Sequence, residues 1–197
     1  MKSKLYFFVS FLSIFIASEV IAAKGLVIKL DVSDPAQNLI NNNIRIPSGM
    51  QVKNARHHVT IGYIDANLTD RQMDQLGKQL TQELREQYPQ AIRFNVTGAD
   101  LPFGNNSKVI ALIPDNNTMM TLKNVNTTTN NIVTRHNYQL NNLTQPINYT
   151  PHMSISNSQA DVQFLQGLNN SISSLKNNNI NRDLFFKLIN FSYTVMK

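Results

Sequence analysis

Two short stretches of the sequence share one pattern of residue types. "HVTI" begins at His58 and "HMSI" at His152, and each consists of a histidine, an apolar residue, a hydroxyl residue and an isoleucine. Side chains two apart on a β-strand point to the same side, so His58 would lie beside Thr60 and His152 beside Ser154. Each stretch therefore presents an imidazole next to a hydroxyl on one face of a strand.

This combination suits a phosphodiester substrate. Imidazole titrates near neutrality, so a neutral histidine can take a proton from water or a ribose hydroxyl while a protonated one gives a proton to the departing oxygen. The hydroxyls can donate to the non-bridging phosphate oxygens. We predict His58 and His152 as catalytic residues and Thr60 and Ser154 as phosphate-binding residues, with no cofactor and no metal, because no carboxylate cluster adjoins either stretch.

Two further histidines and one serine receive other interpretations. We expect His57 to point away from His58 and to be a strand-end or surface residue, and His136 to lie in a surface loop. Ser156 should share the face of His152 by strict alternation.

Aromatic and cationic side chains near these stretches are candidates for substrate contacts. Phe103 lies in the turn-forming segment "LPFGNN" and could stack on a base, whereas Tyr63 and Tyr149 are expected to face the core. Three cations, Arg56, Lys108 and Arg135, are candidates for contacts with the substrate phosphate, and their spacing does not favour one of them. We name Arg56 as the predicted contact.

The bulk properties bound what kind of protein carries these residues. Residues 1–23 combine lysines at 2 and 4, an apolar run and small residues at the end, which is typical of a cleaved export signal. The apolar run is shorter than a membrane-spanning helix needs, so a retained anchor is the less favoured alternative. Residues 24–197 are long enough for one domain. The chain has no cysteine, so no disulfide supports it, and its formal charge falls from +6 to +5 when the two lysines and one glutamate of the leader are removed.

Hydrophobic patterning predicts the elements that position the two stretches. Strands are expected at 24–32, 56–64, 91–100, 107–115 and 148–156, with a closing strand or strand pair at 183–197. Helices are expected at 68–88, with Thr69 as N-cap, and from about 159 to 175, and a frayed or irregular helix at 117–140. The segment after residue 33 should be turns and a short irregular or helical connection. Each histidine strand precedes a helix, which indicates a duplicated lobe.

These residues make the chain resemble the two-histidine phosphoesterase superfamily, which includes 2′-5′ RNA ligase-like proteins and cyclic phosphodiesterases of RNA processing. The resemblance covers most of residues 24–197, including "KGLVIKL", "IRFNVTGADLPFG", the proline before the second histidine and "FFKLINFSYTVM". It implies an α+β fold of two pseudo-symmetric lobes, each an antiparallel sheet with helices on its outer face, around a central cleft. It also implies that His58 and His152 are the catalytic pair, with Thr60 and Ser154 binding the phosphate.

The resulting hypothesis is a periplasmic or secreted, monomeric hydrolase of 2′,3′-cyclic phosphates or 2′-5′ phosphodiesters on RNA ends or small nucleotides. It predicts no DNA partner and no stable membrane insertion after signal cleavage. Two alternatives stay open: an exported nucleotide- or RNA-binding module with the same cleft but no turnover, and a histidine metal site. The latter needs more than two histidines, since zinc usually takes at least three protein ligands.

Overall fold

The elements of this protein form two halves with the same order of strands and helices. The computed structural model describes residues 25–44, 56–104, 107, 109–156, 162–178 and 183–196. The first half consists of β1 (Gly25–Val32), α1 (Asp34–Asn43), β2 (His58–Asp65), α2 (Asp70–Gln87) and β3 (Ile92–Asp100). The second consists of β4 (Ile110–Pro114), α3 (Asn116–Arg135), β5 (Met153–Ser156), α4 (Val162–Asn177) and β6 (Phe185–Met196), with a 3-10 turn at Asn142–Thr144 before β5.

The strands form one closed, antiparallel ring. Its order is β1-β2-β5-β4-β3-β6, and β6 returns to pair with β1. The two halves are related by symmetry: β1 corresponds to β4, β2 to β5 and β3 to β6. If each strand is replaced by its counterpart, the same ring order results, read in the opposite direction. The fold therefore has a pseudo-two-fold axis that passes between β2 and β5, the two strands that carry the histidines. The predicted α+β class with related halves is confirmed.

Alternation along β1 shows how the ring separates an apolar face from a polar one. Leu26, Ile28 and Leu30 are buried, whereas Lys29 and Asp31 on the opposite face are half-buried. The helices cover the apolar face: α2 packs on β6 and β1, α3 on β2, β3 and β4, and α4 on β3. Because the core lies between strands and helices, the opposite, polar face of the strands, here called the cleft face, is not the one that these helices cover.

The helix α2 forms where the sequence predicts it. The Thr69 hydroxyl accepts from the Gln72 backbone N–H, and the Gln72 side chain accepts in return from the Thr69 backbone N–H, which completes a capping box. Met73, Leu80 and other residues at helical spacing are buried against the sheet, and the helix ends at Gln87, before Pro89.

The predictions for α1 and α3 were right in part, because a helical connection after β1 and a helix over most of residues 117–140 are present, but α1 begins earlier and α3 is more regular than predicted. The segment taken as turns after β1 begins a helix, because Ser33 accepts from the Ala36 N–H as N-cap and a proline occupies the first turn, where its missing N–H costs nothing. The α3 helix is regular over 20 residues. Four of its threonines, Thr121, Thr127, Thr129 and Thr134, donate to carbonyls four residues back. Burial of Leu122, Val125 and Ile132 outweighs the low helix propensity.

The closing segment is a single 12-residue strand, β6, which pairs with both β1 and β3 and so closes the ring. The predicted export signal, residues 1–23, lies outside the described residues. Within the part of the chain that the structure describes, none of the helices has the length and apolar character needed to cross a membrane.

Candidate functional site

The pairing of β2 with β5 brings the two sequence motifs side by side. Val59 is the residue opposite Met153 in this antiparallel pair, and both point into the core. One residue to either side, the same register sets His58 opposite Ser154 and Thr60 opposite His152, on the polar face. His58 and His152 are then diagonal neighbours on the two strands, a position at which Cα atoms are about 7–8 Å apart, and each has a hydroxyl residue beside it. This spacing leaves room for a phosphate group between the rings.

Both imidazoles are held by matching hydrogen bonds to the main chain. The Nδ1 atom of His58 lies 2.8 Å from the Arg56 carbonyl oxygen, and the Nδ1 atom of His152 lies 2.8 Å from the Thr150 carbonyl oxygen. Because a carbonyl only accepts, each Nδ1 carries the hydrogen and donates it. The neutral ring therefore has its lone pair on Nε2, and the charged ring has a second donor there. In each half the chemically active nitrogen is the same one.

Burial lowers the pKa of both site histidines. For His58 the Lys29 ammonium lowers the pKa further, while the hydrogen bond to Arg56 and the Asp31 carboxylate act in the opposite direction without cancelling the effect. For His152 burial is again the largest cause, the hydrogen bond to Thr150 opposes it, and the charge of His58 adds to the lowering. The mutual effect means that protonating one ring disfavours protonating the other. The pair therefore favours states with at most one proton.

A β-bulge follows the hydroxyl residue in both motifs. Lys29 pairs with Thr60 while the preceding Ile28 pairs with Gly62, so Ile61 is the extra residue of β2. In the second half Ala111 pairs with Ser154 and Ile110 with Ser156, so Ile155 is the extra residue of β5. The isoleucine that ends each tetrad is thus the bulged residue, and the two halves match in this detail.

The bulges correct two predictions from strict alternation. After the bulge at Ile61, Tyr63 pairs with Val27, which is on the same face of β1 as Lys29, so Tyr63 lies on the cleft face instead of the core face. After the bulge at Ile155, Ser156 turns into the core and is fully buried instead of sharing the face of His152. Tyr149, in contrast, is buried in the core as predicted.

Two side chains from elsewhere in the fold support the main chain around Thr60. The fully buried Asn126 of α3 donates from Nδ2 to the carbonyl of the bulged Ile61 at 2.7 Å and to the Thr144 carbonyl at 2.8 Å. The Tyr149 hydroxyl donates to the Thr60 carbonyl at 2.8 Å. The site is therefore tied to α3 and to the segment that leads into β5.

His57 lies at the end of a strand, directly before β2, which is one of the two predicted positions, but it is not on the surface. Only 7% of it is exposed, its ring donates to the main-chain carbonyl of Ser154, and its own N–H donates to the Gln37 side chain at 2.7 Å. Burial lowers the pKa of this imidazole, and the hydrogen bond to Ser154 opposes that effect. His57 thus links β2 to β5 and to α1 beneath the site.

The two predicted substrate contacts differ in how they are placed. Phe103 is half exposed, and its ring meets the His152 ring edge-on, with centroids 5.2 Å apart at 87°. Arg56 forms an ion pair with Asp34, and its Nε donates to the Val32 carbonyl at 3.0 Å, which holds the guanidinium at the start of α1. Phe103 is therefore next to a site histidine, whereas Arg56 is engaged by the protein itself. Both roles stay predictions.

The remaining candidates lie elsewhere. His136 caps the end of α3, where its Nε2 lies 2.9 Å from Glu83, and Arg135 contacts the same carboxylate at 2.6 Å. These contacts join α3 to α2. Lys108 lies outside the described residues.

The structure adds two charged residues that the sequence reasoning did not single out. Asp31 pairs with His58, and Lys29 pairs with Thr60, so β1 sets a carboxylate and an ammonium beside the first motif. The alternation of β1 shows that both share a face, but only the register of β1 against β2 shows which residues they adjoin. Among the described residues, no group of three or more histidine, cysteine or carboxylate side chains is arranged to hold a metal ion.

Comparison with known proteins finds similarity to solved structures only. No family model matches the chain, and no curated protein matches it in sequence. A structure of Usb1 from Kluyveromyces marxianus with uridine monophosphate is similar at 14% identity, with a TM-score of 0.45 over 88% of this chain and 97% of the Usb1 chain. Another structure of Usb1 from that organism gives 12% identity, a TM-score of 0.46 and the same coverage. Such distant similarity carries no residue role, so function has to be inferred from the site.

Proposed function

We propose that this protein is a metal-independent phosphodiester hydrolase in which His58 and His152 transfer protons to and from a phosphate held between them. The observation that supports this most strongly is the matched geometry of the two rings. Both donate from Nδ1 to a carbonyl two residues earlier, so both direct Nε2 away from the main chain. Each also has a hydroxyl opposite it on the neighbouring strand.

The reaction proceeds by one displacement at phosphorus. The neutral histidine takes a proton from water at Nε2 as the water oxygen attacks, and the bond from phosphorus to one ribose oxygen breaks. The protonated histidine gives its Nε2 proton to that departing oxygen. Water and a 2′,3′-cyclic phosphate thus become a nucleoside phosphate monoester, and the two rings exchange protonation states before solvent resets them.

Thr60 and Ser154 stabilise the charge that develops on phosphate. Their hydroxyls donate to the two non-bridging oxygens, one from each half of the fold. The pseudo-two-fold axis between β2 and β5 accounts for this division, because it relates Thr60 to Ser154 and His58 to His152. The symmetric site matches a tetrahedral group with two equivalent oxygens.

The substrates that fit this chemistry are 2′,3′-cyclic phosphates and 2′-5′ phosphodiesters of RNA ends or small nucleotides. Phe103, beside His152, would contact the base. The protein would act as a monomer after export to the periplasm or the medium, without DNA and without stable membrane insertion. The basic composition suits an anionic substrate.

The test is hydrolysis of a substrate panel in EDTA by residues 24–197. The panel contains the four 2′,3′-cyclic nucleotides and 2′-5′ and 3′-5′ dinucleotides, and His58→Ala and His152→Ala are assayed in parallel. We expect metal-free turnover that each variant reduces by at least about 10²-fold, with folding checked by circular dichroism. Binding of a nucleotide that is recovered unchanged would contradict hydrolysis and favour a binding module.

A further inference from the structure

The row of residues that contains Thr60 continues onto two more strands. Lys29 of β1 pairs with Thr60 on one side and with Ser192 of β6 on the other. Neighbouring strands are about 4.8 Å apart, so Lys29 is one strand from the Thr60 hydroxyl and Ser192 is two. Residues paired in this way lie on one face of the sheet, which here is the polar face.

Two side chains of this row have no partner of their own. The Lys29 ammonium forms neither a hydrogen bond nor an ion pair with any described residue, although the side chain is half-buried. The Ser192 hydroxyl oxygen is buried and also lacks a hydrogen-bond partner among the described residues. An ammonium without a partner, one strand from Thr60 on the polar face, favours a ligand that supplies acceptors.

We propose that Lys29 is a further substrate contact, whose ammonium donates to a non-bridging phosphate oxygen beside Thr60. The identity of the ligand as a phosphodiester rests on the function proposed above. An ammonium has three donors and no acceptor, so it matches an anionic oxygen and not the departing ribose oxygen.

This contact makes the two halves of the site unequal. In the second half the residue that pairs with Ser154 is Ala111, so the ammonium has no counterpart there. The positive charge of Lys29 disfavours protonation of His58, and Asp31 opposes it with a smaller effect. The other titratable groups that face His58 are His152 on β5 and the neighbouring His57. Lys29 therefore places an additional positive charge beside His58 that His152 does not share.

The experiment compares Lys29→Met with Lys29→Arg, which keeps the charge, and with Lys123→Met, which removes one charge from an exposed position on α3. Binding of the four nucleoside 3′-monophosphates is measured by calorimetry, and kcat/KM for the 2′,3′-cyclic nucleotides is measured against pH. Losing a hydrogen bond to a charged group weakens an interaction about 10- to 100-fold. We expect Lys29→Met to lose about 10- to 100-fold in both nucleotide affinity and kcat/KM, and we expect no such loss for Lys29→Arg or Lys123→Met.

The pH profile gives a readout that a purely structural role would not move. Removing the ammonium raises the pKa of His58, so the kcat/KM profile of Lys29→Met shifts toward higher pH, and Lys29→Arg keeps the wild-type profile. Wild-type affinity and profile in Lys29→Met would overturn the assignment while leaving the hydrolase intact. Nucleotide binding that needs Lys29, without hydrolysis by the wild type, would refute the proposed function alone. If the wild type neither binds nor hydrolyses nucleotides, both are wrong.

Discussion

Asn126 is the clearest link between the stability of the fold and the shape of the site. It is fully buried in α3, and its Nδ2 donates to the carbonyl of the bulged Ile61 and to the Thr144 carbonyl. Truncating it to alanine leaves both carbonyls without that donor, at about 1–3 kcal/mol each. The Asn126 Oδ1 is buried and has no hydrogen-bond partner among the described residues, so removing this atom recovers part of the lost free energy of unfolding. We therefore expect Asn126→Ala to lower the free energy of unfolding by about 2–4 kcal/mol.

The matched control is Asn124→Ala, at an exposed position of the same helix. Both substitutions gain the same helix propensity, up to about 0.7 kcal/mol, so their difference isolates the buried contacts. The assay is urea unfolding followed by circular dichroism at 222 nm, with thermal melting in parallel. At about 2–4 °C per kcal/mol, Asn126→Ala should melt roughly 4–16 °C below the control. A difference under about 1 kcal/mol would refute the role of Asn126 as the anchor of the bulge.

Two further predictions concern helix packing and pH. A Cβ atom on Gly77 of α2 would lie 2.5 Å from the ring of Tyr193, so Gly77→Ala should lower the free energy of unfolding by about 1–3 kcal/mol. A Cβ atom on Gly167 of α4 would meet nothing within 4 Å, so Gly167→Ala should raise the free energy of unfolding by about 0.5–1 kcal/mol. Chemical unfolding of both variants checks the opposite signs, and equal effects would contradict the packing. Since burial holds the pKa of both site histidines below the ordinary value of about 6.5, and one ring must be protonated to act as acid, kcat/KM should fall with rising pH through a midpoint below 6.5. A midpoint above 7 in a kcat/KM profile would contradict it.

The sequence predicted the parts of the fold that depend on local pattern. Alternation defined β1, and the capping signals at Thr69 defined the start of α2. The same kind of signal was present at Ser33, where a capping serine with a following proline starts α1, but it was interpreted as a turn. In α3 the propensity of threonine and asparagine argued against regular structure, and packing against the sheet decided otherwise.

The sequence could not supply the parts that depend on pairing between distant strands. Gly62 in "HVTIG" is compatible with a bulge but does not fix its position, and "HMSIS" contains no such residue, so the positions of Tyr63 and Ser156 followed only from the register. The same holds for Lys29, whose distance from Thr60 depends on β1 pairing with β2. Alternation alone could place Lys29 on a polar face, but it could not identify the neighbour on the next strand.

The measurement that tests the central claim most directly varies the leaving group. A nucleoside 2′-(p-nitrophenyl phosphate) has a leaving group that departs as a stable anion and needs no protonation, whereas the ribose leaving group of the matching 2′-5′ dinucleotide does need it. Residues 24–197, His58→Ala and His152→Ala are assayed on both in EDTA. If the two rings divide the roles of base and acid, the variant that lacks the acid loses turnover of the dinucleotide but recovers on the p-nitrophenyl ester, and the variant that lacks the base is impaired on both. Equal losses of both variants on both substrates would contradict the division of roles, and undiminished turnover in either would contradict the two-histidine mechanism itself.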